Sequence, residues 1–305
     1  MKLSVITPVY NGEKYIRETI ESVLENCADF NFEYLIVNDG STDGTSEILL
    51  DYQEQVFVLN KTNSGQADAI NEAIQRATGD LGIIVNADDP LVTPLLFKMA
   101  LSTFEVSKEK EVIVCYPDWS VISEHGKVVR RVKTKDYSQN ELIGNLNCLP
   151  GPGAMFKLEY AKKINGWDRK YKFVGDYDFW IRLSVFGEFQ RIPHNLAVWR
   201  AHDNSTSISQ KNFKMALERI KVIEDFPYKN DIEASLVRKA KASSFYEAAV
   251  LSYFDPSIPG RKWFLKSLSI DPTIIFRKSP IRSIYLLLHP YSWKLVEMFR
   301  LARAK

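Results

Sequence analysis

Phe32-Glu-Tyr-Leu-Ile-Val-Asn-Asp-Gly-Ser-Thr-Asp-Gly44 runs from an apolar stretch into a polar turn, after which Ile48, Leu49 and Tyr52 recur at helical spacing. A strand apolar on both faces lies between two layers, and a strand leading through a turn into a helix is one step of a parallel sheet. The same step recurs on either side. Leu3–Thr7 leads through Asn11-Gly12 into Ile16, Ile20, Val23, Leu24 and Cys27. Val56–Leu59 leads to Ser64, a residue suited to cap a helix whose Ala67, Ile70, Ile74 and Ala77 share one face. Leu81–Val85 is a fourth strand. The prediction is an α/β fold, with a mostly parallel sheet between helix layers.

Residues 91–208 mix strand patterns at Val112–Tyr116, Val128–Val132 and Leu196–Arg200 with a helical one at Asp176–Phe186. From 209 onward the stretches 213–226, 232–254 and 261–270 are helical, punctuated by Pro227, Pro256, Pro259 and Pro272. This predicts a domain over 1–208, in halves 1–90 and 91–208, followed by a helical C-terminal appendage over 209–305.

Of 305 residues, 45% are hydrophobic, enough for a sizeable core. The net charge of +2 gives no overall case for nucleic acid as a partner, but it is spread unevenly: residues 261–305 hold ten Lys/Arg against Asp271 and Glu297. A basic end on an acidic body suits an anionic surface. Arg282–Lys305, with Tyr291 and Trp293 among its cations, reads either as an interfacial helix at an anionic membrane or as a packed terminal helix. Cys27, Cys115 and Cys148 are scattered, so neither a disulfide framework nor a zinc cage is expected. Nothing has the length of a signal-peptide core or a membrane span. The expected location is cytoplasmic, or peripheral on the inner face of the membrane.

Ligands of open parallel sheets bind beyond the carboxyl ends of the strands. Those ends read Thr7-Pro8-Val9-Tyr10-Asn11, Asn38–Gly44, Asn60–Gln66 and Asn86-Ala87-Asp88-Asp89. Asp39 and Asp43 are also ordinary turn formers, and Asn63-Ser64-Gly65 an ordinary helix start. The adjacent carboxylates of Asp88 and Asp89 are harder to explain without a cation, and hard divalent cations take carboxylate oxygens together with substrate phosphates. No G-x-G-x-x-G follows the first strand and no G-x-x-x-x-G-K-[ST] occurs, which counts against dinucleotide dehydrogenases and P-loop NTPases.

Val5-Ile-Thr-Pro-Val-Tyr-Asn11, Val37-Asn-Asp-Gly-Ser-Thr-Asp-Gly44, Asn63-Ser-Gly-Gln-Ala-Asp-Ala-Ile-Asn71 and Asp88-Asp89, in that order, resemble the signature of family 2 glycosyltransferases of GT-A fold, over roughly residues 3–206. The resemblance implies transfer of a sugar from a nucleotide-diphosphate donor to an acceptor hydroxyl, with inversion at the anomeric carbon. It implies that Thr7, Pro8, Val9, Tyr10 and Gln66 belong to the nucleotide pocket, and that Asp39 receives the N3–H of uracil or thymine, favouring a UDP- or dTDP-sugar. Asp88 would sit near the ribose and Asp89 would bind Mg²⁺ or Mn²⁺. Asn86 stands where the family usually has a further Asp.

Gly175-Asp-Tyr-Asp-Phe-Trp-Ile-Arg-Leu183 resembles the family segment that carries the catalytic base, with Gly175 where a Glu is usual. On a helix, Asp176 shares a face with Phe179, Trp180, Leu183 and Phe186, whereas Asp178 is four residues from Arg182 and pairs with it as an exposed couple. That makes Asp176 the base. Arg200-Ala-His202-Asp-Asn-Ser205 resembles the family's Arg-x-His-x-x-Ser, with His202 either a metal ligand or a structural residue. The acceptor is then a glycan or a lipid-linked one, in polysaccharide or glycoconjugate synthesis. Two competing functions are a nucleotidyltransferase making nucleotide sugars, which calls for a Gly-rich basic loop after the first strand, and a non-catalytic nucleotide-binding scaffold at a membrane, which needs no base.

Overall fold

Each apolar stretch of the first ninety residues becomes a strand. In the computed structural model, which describes residues 1–106, 111–202, 212–252 and 260–288, β1 (Leu3–Val9), β2 (Phe32–Asn38), β3 (Phe57–Asn60) and β4 (Leu81–Ile84) alternate with α1 (Ile16–Cys27), α2 (Thr45–Leu50) and α3 (Gln66–Arg76). β1 pairs in parallel with β2 and β4, and β2 with β3. Every residue of β1 is buried. The stripe Ile16, Ile20, Val23 and Cys27 of α1 is fully buried in the same core as Val5, Ile36 and Ile83, each large aliphatic contributing about 1.5–3 kcal/mol.

Two expectations change. β3 is an edge strand with Phe57 exposed, not one covered on both faces. Ser64 does not cap α3: the N-cap is Gly65, at φ 100.

Beyond α4 (Leu95–Val106) the sheet turns mixed. β5 (Val112–Ile122), β6 (Val128–Val132), β7 (Met155–Lys157) and β8 (Glu188–Arg200) join it, with α5 (Leu158–Lys163) and α6 (Gly175–Leu183) between β7 and β8. β7 is antiparallel to β4 and β5, β6 antiparallel to β5, and β8 parallel to β5. The order is β3-β2-β1-β4-β7-β5-β6, with β8 also on β5. β5 and β8 run well past their apolar patterns, and their register shifts at Pro117/Asp118, where proline has no N–H to give the ladder.

The chain divides into two units, Met1–Ser138 with Cys148–Ser205, and Gln139–Asn147 with Thr206–Lys305. In the second, α7 (Asn212–Asp225), α8 (Ala234–Leu251), α9 (Gly260–Ile270), α10 (Ile274–Arg277) and α11 (Pro280–Leu288) follow one another. Small residues of α8 let its neighbours approach: the Ser267 hydroxyl reaches the Ala242 carbonyl at 2.6 Å, and the Ser243 hydroxyl reaches the Gly144 carbonyl at 2.8 Å. Phe245 stacks on Trp263 with ring centroids 5.8 Å apart. Among the described residues no helix is long and apolar enough to cross a membrane. Tyr291 and Trp293, which carried the interfacial reading, lie outside the described residues.

Candidate active site

The loops after β1 and β2 are laced together by side chains. Asn11 Oδ1 accepts the Thr42 N–H at 2.8 Å, Glu13 Oε2 accepts the Gly44 N–H at 2.7 Å, and Thr45 Oγ1 accepts the Gly12 N–H at 2.8 Å. Asp43 receives the N–H groups of Glu13 and Thr45. Gly40 sits at φ 73, and a Cβ there would meet the Asn63 nitrogen at 2.7 Å, so only glycine fits. The polar residues at these strand ends thus first build the rim of the sheet.

Asp39 is buried at the centre of this rim. Its Oδ1 accepts Lys61 Nζ at 2.8 Å and the Ser64 N–H at 2.9 Å, and its Oδ2 accepts the Gly65 N–H at 2.7 Å. Burial alone would raise this carboxyl, but the Lys61 ammonium and the two amides outweigh it and hold Asp39 below the usual carboxylate range. A carboxylate has about four acceptor positions. Three are taken, which leaves Oδ2 able to receive one more donor. Of the residues expected around it, Thr7, Pro8 and Val9 bury their side chains in β1, the Thr7 hydroxyl meeting Tyr34 Oη at 2.9 Å. Tyr10 opens outward, at 53% exposure. Gln66 is exposed and reaches Asn86 Oδ1 at 3.5 Å.

After β4 the two adjacent acids take different environments. Asp89, expected as the metal ligand, turns inward: Oδ1 accepts the Arg200 N–H at 2.7 Å and Oδ2 accepts Asn86 Nδ2 at 2.9 Å. Burial, aided by the Asp88 charge, pushes its carboxyl up to about 7. This explains Asn86 in place of an acid: the buried Asp89 needs a donor there, and a third carboxylate would supply none. Asp88, expected at the ribose, is the more open of the two and meets His202 Nε2 at 2.8 Å. Among the described residues no group of three or more His, Cys, Asp or Glu could hold a metal. Asp88 and His202 together offer two donors, a carboxylate oxygen and an imidazole nitrogen. That set fits Mg²⁺ or Mn²⁺ only where substrate phosphates supply further oxygens, as those ions commonly require.

Arg200 organises this corner, a role the sequence did not assign it beyond its place in the Arg-x-His-x-x-Ser resemblance. It is 1% exposed. Its Nε donates to the Asp88 carbonyl at 2.8 Å, Nη1 to the Glu124 carbonyl at 3.0 Å, and Nη2 to Glu18 Oε2 at 2.8 Å. The guanidinium lies 4.9 Å from the centre of the Tyr15 ring, which is itself 5.3 Å from the His202 ring. One side chain thereby ties the end of β8, the Asp88-Asp89 turn and α1. Its partners lie 76 to 182 residues away in sequence, where no local pattern reveals them.

α6 is seated on the sheet through Phe156. Gly82 of β4 lies under that ring, where a Cβ would come within 2.7 Å of it. Phe156 in turn packs edge-on against Phe179 and Trp180. Gly175 is explained in the same way: a Cβ would meet the Trp167 indole at 2.8 Å, so the glutamate usual in the family has no room here. Asp176 is exposed in the first turn, its Oδ1 accepting the Tyr177 N–H at 2.8 Å and its Oδ2 lying 3.9 Å from Cys148 Sγ.

Asp178 is not an exposed pair. It is 3% exposed and Arg182 is 7% exposed. Arg182 Nε donates to Asp178 at 2.8 Å, while Nη1 and Nη2 donate to the Ile164 and Gly166 carbonyls at 2.8 and 2.7 Å. Burial raises the Asp178 carboxyl, and Arg182 offsets this only in part. Trp180 is core, and Trp199 stands edge-on to Trp119 at 6.5 Å. In the Pro150–Met155 loop, Gly153 has φ 77 and sits where a Cβ would be 2.8 Å from Ala197, which accounts for the glycine.

The family model for glycosyl transferase family 2 matches residues 4–164. An uncharacterised glycosyltransferase of Rickettsia typhi is 30% identical over 216 residues, which are 69% of this chain and 67% of that one. The chain spans 67%, 58% and 27% of the length of the three curated relatives it matches first. S. aureus TarS 1–349, solved in complex with UDP-GlcNAc, has a TM-score of 0.68 at 19% identity, covering 88% of this chain and 80% of that one. The mannosyltransferase PcManGT of Pyrobaculum calidifontis, solved with GDP-Man and Mn²⁺, has a TM-score of 0.55 at 16% identity, covering 93% and 84%. These likenesses identify the fold as GT-A. With the family's pattern running from β1 through α5 over more than half of its length, the chain belongs to glycosyl transferase family 2.

Proposed function

We propose that the protein transfers a sugar from a UDP- or dTDP-sugar to an acceptor hydroxyl, with inversion, in polysaccharide or glycoconjugate synthesis. The observation that carries the reading is the exposed Asp176 carboxylate, on a helix anchored to the sheet that also presents Asp39 and Asp88. Asp39, ionised and with one acceptor position left, is matched to the single N3–H of uracil or thymine. A relative of the same fold carries UDP-GlcNAc and another GDP-Man, so the preference for a pyrimidine rests on Asp39.

Asp176 accepts the proton of the acceptor hydroxyl as that oxygen attacks the anomeric carbon and the nucleoside diphosphate departs from the opposite side. General-base help of this kind contributes about 10²–10⁴-fold. Asp88 and His202 would hold a divalent cation, which when bound supplies Lewis-acid stabilisation of the departing diphosphate. Asp89, Asn86 and Arg200 keep the Asp88 turn in position. The domain assignment of 1–208 as catalytic and 209–305 as an appendage belongs to the same reading. So does a peripheral seat on an anionic membrane, favoured by Phe276, 80% exposed beside Arg277 and Lys278.

Calorimetry with UDP, dTDP and GDP, each with and without Mn²⁺, tests the donor side, and donor-sugar hydrolysis tests the chemistry without a known acceptor. UDP binding that strengthens with Mn²⁺ in the wild type and loses that response in Asp88→Asn is the expected result. Tighter binding of GDP than of UDP sinks the base assignment.

A further inference from the structure

β3 and β6, two strands of the eight-stranded sheet that each pair on one side only, are unlike each other. β3 is four residues long and carries no charge. β6 and its flanks hold Lys127, Arg130, Arg131 and Lys133, all exposed, and among the described residues none of these four has an ion-pair partner. Val128 and Val129 beside them are 59% and 67% exposed. No carboxylate occurs from His125 to Lys135, and the next one, Asp136, is paired with Arg191. Cations crowded without counter-charge repel one another, and an anion relieves that repulsion. Charge also deters edge-to-edge pairing of sheets. Here, however, the register with β5 is already broken between Val121 and Ile122, and a bulge deters such pairing by itself.

The strand is held firmly and leads to the site. At its far end the Thr134 N–H and hydroxyl bind Asp118 at 2.9 and 2.7 Å, and Arg191 grips the same carboxylate at 2.7 Å. The Lys135 carbonyl accepts the Tyr116 hydroxyl at 2.8 Å. At its near end Val128 is level with Ile122, and Ile122 with Arg200. β6 therefore begins two strand spacings, about 10 Å, from the arginine that braces Asp88. From there it runs away along β5 to Val132, level with Trp119. Arg130 and Arg131 are consecutive in the paired strand, opposite Val121 and Ser120, and so project to opposite faces.

We propose that β6 is a docking track for an acceptor chain bearing repeating anionic groups, phosphodiester or carboxylate, whose end it directs toward Asp176 and Asp88. The inference rests on the transfer reading given above and names the acceptor class for it. A flat anionic membrane meets one face of the strand, whereas a flexible chain engages cations on both. An added peptide strand needs the unbroken edge that the bulge removes.

The test compares the full-length protein with the variant R130Q/R131Q/K133Q. Binding is measured to inorganic polyphosphate, polygalacturonate, neutral dextran and phosphatidylglycerol vesicles over a range of salt, with UDP–Mn²⁺ calorimetry and size-exclusion chromatography on both proteins. The expected result is tight binding of one or both polyanions by the wild type and none of dextran. The variant then loses about tenfold or more in polyanion affinity, with a salt slope lower by about 2 and unchanged UDP binding. Preference for polyphosphate or for polygalacturonate identifies which anion the acceptor carries. Equal polyanion affinity in the two proteins overturns the track, as does a loss confined to vesicles, or self-association of the variant without a change in polymer binding. A wild type that binds polyanion through β6 but not UDP strikes the transfer reading and leaves the anionic track standing.

Discussion

The first half of the sheet, β1 to β4, and the second, β5 to β8, treat their acids differently. In the first, Asp39 and Asp43 are bound by backbone N–H groups of their own rim, and Asp89 by the N–H of Arg200 in β8. Asp88 is held instead by the side chain of His202. In the second half two aspartates two residues apart divide the work: Asp178 is locked to Arg182 inside the protein, and Asp176 is exposed. The lesson is that a motif carboxylate has to hold its loop before it can do chemistry, and the exposed Asp176 is the one proposed as the base.

The sharpest test of that division is Asp176→Asn. The amide is nearly isosteric but takes no proton, so kcat should fall by about 10²–10⁴-fold. UDP affinity should stay within a few-fold, because Asp39 and Asp88 are untouched. Transfer or donor-hydrolysis kinetics, with calorimetry on the same preparation, decide it. A variant that turns over at the wild-type rate breaks the comparison at its centre.

Asp178→Asn tests the other member and should act on stability rather than on chemistry. It leaves Arg182 buried without its counter-charge, a change that costs about 3–5 kcal/mol where buried pairs have been broken. Urea unfolding should reveal this as a lower midpoint at unchanged slope. Replacing both partners, Asp178→Leu with Arg182→Met, should recover much of the loss, since no charge is then stranded. An effect of only ~0.2–0.5 kcal/mol would be that of an exposed helix pair, and would mean the pair is not buried in solution.

An exposed pair is what the sequence alone suggested, and the reason it misled is instructive. The i,i+4 spacing of Asp178 and Arg182 was legible, and so was Asp176 at the head of the helix. Burial was not, because α6 is covered nearly all round: Gly175 and every residue from Tyr177 to Leu183 are buried. A helix with no solvent face gives an apolar stripe nothing to contrast with. The parallel half of the fold was readable because its strands are continuous apolar runs ending in polar turns. β7, three residues long, had no such pattern and depends on Phe156 fitting over Gly82, a contact between distant parts of the chain. Asp88 and Asp89 were likewise found as a pair, but which one turns inward depends on Arg200, more than a hundred residues on.

Asp39→Asn probes the first half of the sheet. The amide cannot hold the Lys61 ammonium as a carboxylate does, and it presents its own N–H toward donors. The loss of a charge-assisted bond to the base should weaken UDP binding by about 1.5–3 kcal/mol, or roughly 10–150-fold. kcat at saturating donor should change much less. If UDP affinity is unchanged, Asp39 only holds the start of α3, and base recognition lies elsewhere.

The smallest expected effect lies at the opposite edge of the same strands, about 20 Å from the site. Glu33, near the start of β2, accepts Ser4 Oγ at 2.6 Å, Lys2 Nζ at 2.9 Å and Thr78 Oγ1 at 2.8 Å, together with the N–H groups of Thr78 and Gly79. Burial pulls its carboxyl upward, but these donors prevail and hold it down at about 2, against an ordinary 4.5. A carboxyl depressed in the folded state binds fewer protons there than in the unfolded chain. Its contribution is therefore fully present above pH 4.5 and is lost as the pH falls toward 2. Glu33→Gln should lower stability by on the order of 1 kcal/mol near neutrality, the side chain being partly screened by water. It should also flatten the decline of stability with acid between those two values. Urea midpoints measured from pH 7 down to 2 check both. A decline as steep in Glu33→Gln as in the wild type would move the acid sensitivity to the carboxylates of the site edge. In that case the two edges of the sheet would not differ in the way their hydrogen bonds indicate.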